Sequence, residues 1–305
     1  MYAVYSQEVR SELENNDTLR QILWDRLYEA NYMNDTSFNG VNGKWAKYIV
    51  GERVTNTKRY YINTSYNKVI TDHMTFQGGM SYQLQMSDNY RQVADLLGAN
   101  FYVDLNQFGD MNNTGNNVLI QNDLNNPNRI LHVGDRYSYD YSSTVSKGLA
   151  WGQGVFRYDR IDGFITLHTD ITSFQRDGHV RSGIFMNDSY GKSDMKSFLA
   201  GGAKAGMTYK YDGRNYFVIN GSYSTRAPYF ENAFISPMVR NSLIPGLQLE
   251  KIYSVEGGYQ LKAPRIKGKL MGYYTQFMNG TDARRFYHED FKTFVNYTLT
   301  GIDKR

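Results

Sequence analysis

Apolar and polar residues alternate with a period of two in segment after segment of this chain, the signature of strands with two different faces. Between 74 and 86, Met74, Phe76, Gly78, Met80, Tyr82, Leu84 and Met86 share one parity, while Gln77, Gly79, Ser81, Gln83 and Gln85 share the other. Tyr137, Tyr139, Tyr141, Val145 and Leu149 oppose Ser138, Asp140, Ser142, Thr144 and Ser146. Ile165, Leu167 and Ile171 oppose Thr166, His168, Asp170 and Thr172. Phe217, Ile219 and Tyr223 oppose Asn220, Ser222 and Ser224, and Tyr253, Val255, Tyr259 and Leu261 oppose Ser254, Glu256 and Gln260. The pattern predicts a sheet with one apolar face and one polar face throughout.

Connections between these segments alternate in length. Short turns are expected near Thr71-Asp72-His73, Arg160-Ile161-Asp162, Tyr211-Asp212-Gly213-Arg214 and Ala263-Pro264-Arg265. Long polar stretches are expected at about 88–135, 178–196, 227–248 and 279–292. A membrane β-barrel shows this order, because one rim carries short turns and the other longer loops. The fold class expected is all-β: an antiparallel up-and-down meander of about nine strands forming part of a transmembrane β-barrel, with a short helix in the N-terminal loop region. That helix is expected to be capped by Asp17 or Thr18 and to contain Leu19, Ile22, Leu23 and Leu27. The polar stretch 8–16 ahead of it reads as loop. Residues 1–45 form a helical loop segment and 46–305 the barrel strands and loops.

Composition sharpens this picture. The chain holds 27 Tyr and 16 Phe against 5 Pro, and tyrosine suits a surface that is apolar on one side and wet at its margins. A mean hydropathy of -0.59 and the lack of any run near ~20 apolar residues exclude a helical membrane protein, whereas a barrel alternates lipid and lumen and escapes that test. The net charge of +4 is spread along the chain and implies no nucleic-acid partner. With no Cys there is no disulfide framework, thiolate site or cysteine nucleophile. The start, Met1-Tyr2-Ala3-Val4, has no signal-peptide pattern, so an exported protein is expected to begin upstream.

Motifs that would carry chemistry are weak. Gly201-Gly202-Ala203-Lys204-Ala205-Gly206 lacks the ending of a phosphate loop and sits in a strand pattern, where glycines serve close backbone approach. Asp110-Met111-Asn112-Asn113-Thr114-Gly115 opens like a calcium loop, but its twelfth position is Gln121 rather than a bidentate Glu. His73, His132, His168, His179 and His288 are scattered without metal-ligand spacing, and no nucleophile elbow is present. The sequence implies no enzyme activity, no cofactor and no metal site.

Thr225-Arg226-Ala227-Pro228-Tyr229-Phe230-Glu231-Asn232, then Ser236-Pro237-Met238-Val239-Arg240-Asn241, Pro245-Gly246-Leu247-Gln248-Leu249-Glu250-Lys251 and Tyr253-Ser254-Val255-Glu256-Gly257-Gly258-Tyr259, resemble a barrel segment of Bacteroidota TonB-dependent receptors. Phe286-Tyr287-His288, Thr293-Phe294-Val295-Asn296, Gln121-Asn122-Asp123-Leu124-Asn125-Asn126-Pro127-Asn128-Arg129 and Trp24-Asp25-Arg26-Leu27-Tyr28 are similar to other parts of it. The resemblance implies an outer-membrane receptor that imports a scarce nutrient such as a siderophore, cobalamin, a glycan or a peptide. Such barrels have about 22 strands and a plugged lumen, so the chain is expected to be an interior fragment without its plug. Its implied partners are the TonB complex through that plug region, the nutrient ligand, outer-membrane lipid and a surface lipoprotein. Ligand contacts are expected in the outer loops, with Tyr229, Phe230, Arg240 and His288 as candidates. Rival readings are a soluble glycan-binding β-sandwich, a barrel enzyme and a plain porin. Ile219, Leu84 and Leu167 are expected to face lipid near mid-membrane, and Asn220 the lumen.

Overall fold

A computed structural model describes residues 2–16, 21–106, 117–288 and 293–304. The chain packs as two compact units: 1–53 with 91–104 and 128–137, and 54–90 with 105–127 and 138–305.

In the first unit, helix α1 spans Tyr2–Asn15 and α2 spans Trp24–Tyr32. The stretch 8–16, read as loop, is thus helical almost to its end. An i,i+4 ion pair between Arg10 and Glu14 at 2.8 Å supports it. The second helix also begins later than expected. Leu23 is its N-cap residue without a side-chain cap bond, leaving Ile22 and Leu23 ahead of the helix, while Asp17, Thr18 and Leu19 lie outside the described residues. Strands β1 (Asp35–Phe38) and β2 (Val41–Lys44) form a hairpin about Asn39 and Gly40, whose φ values of 49° and 81° are those an Asn-Gly hairpin turn requires. Short strands β5 (Tyr102–Val103) and β6 (Ile130–Leu131) pair nearby. Ala46, Val93, Leu96, Tyr102 and Leu131 make the core of this unit. Asn31, fully buried, ties α2 to it: its amide nitrogen donates to the carbonyls of Tyr48, Leu96 and Leu97, and its oxygen accepts from the backbone N–H groups of Lys47 and Tyr48.

The main sheet is a meander. Its long strands are β3 (Val50–Thr71), β4 (Met74–Asp95), β7 (Arg136–Arg157), β8 (Ile161–Gly178), β10 (Lys196–Lys210), β11 (Asn215–Arg226), β12 (Glu250–Lys262), β13 (Lys267–His288) and β14 (Thr293–Lys304). They are ordered β14-β13-β12-β11-β10-β8-β7-β4-β3, with the short β9 (Gly191–Lys192) added on β8. Every register described is antiparallel, and no sheet closes among the described residues. All nine long strands lie in one sheet, and the other two sheets have two strands each, so the β-sandwich reading fails. Short and long connections alternate as expected, with one correction. The 279–292 stretch, expected as a loop, is strand as far as His288, because β13 continues through register shifts between Phe277 and Gly280 and between Gly280 and Asp282.

Register assigns the faces. Leu167 pairs with Ala203, Met207 with Ile219 and Val255 with Tyr274, so Ile165, Leu167, Ile171, Leu199, Met207, Ile219, Tyr223, Tyr253 and Val255 share the apolar face. All of these are largely exposed. On β4, Phe76, Met80 and Tyr82 stand exposed on that face, and Leu84 shares their parity. Row β7 is the second correction. Val145 pairs with Phe174 and Leu149 with Asp170, so Tyr139, Tyr141, Val145 and Leu149 belong to the polar face. The apolar face of lower β7 is instead Gly148, Ala150, Gly152 and Gly154. The aromatic row was not spaced for the apolar face; it meets a loop that folds onto the other side.

Candidate functional site

The polar face is a lattice of short side-chain bonds. Thr57 meets Ser87 at 3.0 Å, Arg59 donates to Gln85 at 2.8 Å, and Thr166 donates to Gln153 at 2.9 Å. Asn220 donates to Glu256 at 2.7 Å, Ser254 meets Thr275 at 3.0 Å, and Lys147 approaches Asp170 at 3.6 Å. Alternate positions on neighbouring strands put these groups opposite one another, where cross-strand pairs form. Such a face offers donors and acceptors to water or a polar solute.

At the long-loop end, the 227–249 loop packs on this face. Phe230, Ala233 and Phe234 join Tyr139, Tyr141, Phe174 and Phe198 in one buried cluster, with Met238, Leu243, Leu247 and Leu249 against it. Phe174 lies 6.0 Å from both Phe230 and Phe234. Arg176 is fully buried beside this cluster. Its guanidinium donates to the carbonyl of Ser189 at 2.9 Å, to the carbonyl of Pro237 and to the Asn241 side-chain oxygen, and lies 5.0 Å over the Tyr141 ring. The 179–195 and 227–249 loops are also joined by Arg240, which donates to Asp188 at 3.0 Å and to Ser242 at 2.8 Å.

The four residues expected to meet ligand are therefore placed unequally. Phe230 is an interior member of the loop cluster. Arg240 is spent on Asp188, on Ser242 and on the Phe185 ring at 4.8 Å. Tyr229 is 59% exposed at the loop surface, its ring 5.1 Å from the Arg226 guanidinium. His288 is the last residue of β13, its ring 6.5 Å from that of Phe286. The structure brings Phe230 and Arg240 into one loop assembly.

Two groupings escaped the sequence reading. Asp88, Asp140 and His179 have ligand atoms within 4.8 Å of one another. They come from β4, β7 and the residue after β8, so no local spacing could announce them. His179 is already engaged, with Nδ1 2.7 Å from Asp140 and Nε2 3.2 Å from Ser142. On the apolar face, a shallow groove of about 570 Å³ runs over Gly78, Ala150 and Gly152 between Phe76, Met80 and Leu167, and one of about 540 Å³ adjoins it at Met80 and Ala150, walled by Ile62, Ile171 and Leu199. The phosphate-loop lookalike is strand β10: a Cβ on Gly202 would lie 2.4 Å from the Tyr223 carbonyl oxygen, the close approach that its glycines serve. The calcium lookalike 110–115 lies outside the described residues.

No helix among the described residues is long and apolar enough to cross a membrane. No family model and no curated protein matches the sequence. Solved structures match it in fold. One is the copper transporter OprC, with a TM-score of 0.54 at 10% identity, covering 82% of this chain and 34% of OprC. This chain thus spans about a third of that protein's length, and the likeness is one of fold: a stretch of large antiparallel meander.

Proposed function

We propose that this chain is a stretch of the wall of an outer-membrane β-barrel receptor that imports a scarce nutrient, energised through TonB. The observation that carries the reading is the exposed apolar face and its aromatic margins. Phe217 and Tyr259 meet at 5.5 Å near the short turns, and Tyr223 and Tyr253 meet at 4.8 Å toward the long loops. From Phe217 to Tyr223 is roughly 20 Å of strand at about 3.3 Å per residue. Between them lie Ile219 and Val255, both about half exposed. On β3 the same band runs from Tyr60 through Ile62 to Tyr66, with Lys58 and Lys68 beyond its ends. A soluble protein does not leave so much contiguous apolar surface in water. A lipid-facing barrel wall has a band of about 25 Å between aromatic girdles.

The strands outrun that band. Four of them have 22 residues, while a tilted strand crosses the bilayer in about 9–11. The wall therefore projects well beyond the membrane on the long-loop side, where a bulky solute is met. The likeness in fold to a transporter and the resemblance of the 225–259 strings to TonB-dependent receptors support import over enzymatic activity. A plain porin has the same wall physics and is separated from a receptor by the resemblance alone.

The test is a pair of single cysteines, Ile219→Cys and Asn220→Cys, probed in native membranes. Cysteine 220 should react readily with a water-soluble thiol reagent, and cysteine 219 should be quenched by lipid-borne probes. If neither position meets lipid, the membrane assignment is wrong.

A further inference from the structure

We propose that the 227–249 loop is a fixed lid folded onto the lumen side of the wall, held there by Arg176, so that it narrows entry from the outer mouth. The inference rests on the barrel-wall reading above and adds which way this loop goes and what keeps it there.

Direction follows from register. Phe174 shares a face with Thr172, Asp170 and His168, and Phe198 pairs directly with Thr172. Phe230 and Phe234 dock on Phe174, so the loop lies on the polar face and not on the apolar one. In a closed barrel whose apolar face meets lipid, that side is the lumen. A loop destined for open water would gain nothing from Ala233 and Phe234, both fully buried here.

The fastening is a buried cation. Arg176 belongs to β8, but the acceptors of its guanidinium come from both loops: Ser189 from 179–195, Pro237 and Asn241 from 227–249. A guanidinium removed from water needs its donors satisfied, and these acceptors exist only while both loops are docked. A second fastening couples the loops to each other. Asp188 accepts from Arg240 and Ser242, and the Asn241 backbone N–H donates to the Asp188 carbonyl at 2.5 Å. The Asn241 amide nitrogen also reaches the Gly191 carbonyl at 3.2 Å. The two loops therefore dock or release together, and Arg176 is their positioning residue.

The experiment uses the full-length protein in cells, with three single cysteines, each in the native and the Arg176→Met background. Ala233→Cys, on the buried inner side of the lid, should resist a water-soluble maleimide in the native background and react at least tenfold faster in Arg176→Met. Lys204→Cys, exposed on the polar face of β10, should react with a small maleimide at least tenfold faster than with a polyethylene-glycol maleimide added from outside. Arg176→Met should close most of that gap. Leu199→Cys, 71% exposed on the apolar face, should meet lipid-borne quenchers in both backgrounds and so reports that the wall is intact. Rapid labelling of cysteine 233 in the native background overturns the lid, as does a size gap at 204 that Arg176→Met leaves unchanged. Loss of lipid contact at 199 in the native background overturns the wall reading instead. Should Arg176→Met alone lose that contact, Asn241→Ala takes its place; it removes one acceptor and leaves the cation, and unchanged labelling at 233 then overturns the role given to the fastening.

Discussion

At Ile219 and Asn220, adjacent residues lie on opposite faces of the sheet, which in the proposed barrel meet lipid and lumen. Ile219 pairs with Met207 and Gly257 on the apolar face, and Asn220 is bonded to Glu256 on the other. In the membrane, Ile219→Arg should cost about 2–4 kcal/mol, because the guanidinium must enter hydrocarbon or draw water in. Asn220→Arg should cost far less, since Glu256 and lumen water receive the charge. Refolding titrations into lipid vesicles measure both, and equal costs would remove the distinction between the faces. Asn31 carries a different burden. Its side chain serves five backbone groups, so Asn31→Ala leaves several of them unpaired in the interior. Each buried orphan costs about 1–3 kcal/mol. Hydrogen exchange at the Lys47 and Tyr48 amides, which donate to the Asn31 side-chain oxygen, should accelerate at least tenfold, whereas unchanged protection would mean that water replaces the amide. Gly202 is limited by space: a Cβ would meet the Tyr223 carbonyl oxygen at 2.4 Å and Ser224 Cα at 2.8 Å. Gly202→Ala should therefore destabilise the β10–β11 pair by roughly 1–3 kcal/mol, the usual cost of overpacking, read as a lower urea midpoint.

Among the elements, the 211–214 turn between β10 and β11 shows how a carboxylate holds a hairpin. Asp212 accepts from the backbone N–H groups of Arg214 and Asn215 and from the Asn215 side chain, each at 2.7 Å. These bonds, the Arg214 N–H first among them, favour the ionised form and hold its pKa below the usual carboxylate value. The stabilisation is accordingly present above the unfolded pKa near 4 and is lost as pH falls through the lower folded value. Asp212→Ala should lower the midpoint of urea unfolding at neutral pH and have little effect once the pH is low enough to protonate the folded carboxylate. A deficit that persists at low pH would show that the charge is not what matters. The long-loop elements are built differently. They are closed by aromatic packing and by Arg176 rather than by turn chemistry, so their conformation depends on partners far away in sequence.

For the whole molecule, alternation of short and long connections implies orientation. The turn at Asp212-Gly213 and the loop tip at Pro245-Gly246 lie at opposite ends of the meander, because the antiparallel register of β10, β11 and β12 separates them by the length of β11. In the proposed receptor, an epitope inserted after Gly246 should be detected by antibody on intact cells. One inserted after Gly213 should appear only after the outer membrane is permeabilised. The reverse pattern would invert the topology, and exposure of both on intact cells would remove the membrane from the account. The two edges, β3 and β14, point the same way. In the proposed barrel, unpaired backbone groups at either edge would be costly in hydrocarbon.

Strand identity, turn positions and the two-faced meander were legible in the chain, because alternation has a period of two and is read locally: Ile219 against Asn220, or Leu167 against His168, needs no knowledge of the neighbouring strand. The helix at Tyr2–Asn15 was not: beyond Glu8 only Val9 and Leu13 continue the helical spacing of Tyr2 and Tyr5, and the i,i+4 pair Arg10–Glu14 leaves no mark in hydrophobicity. Nor was the continuation of β13 to His288, where register shifts interrupt the alternation. Tertiary structure alone decided which side the Tyr139–Tyr141–Val145 row faces. Alternation separates two faces without naming them, and here an apolar row meets the 227–249 loop rather than lipid. It alone decided that Phe230 and Arg240 are spent within the loops, and that Arg176, an unremarkable cation between Gln175 and Asp177 in sequence, is fully buried. A side chain's partners across 13, 61 and 65 residues of chain are set by how the loops fold back, and no local pattern encodes that.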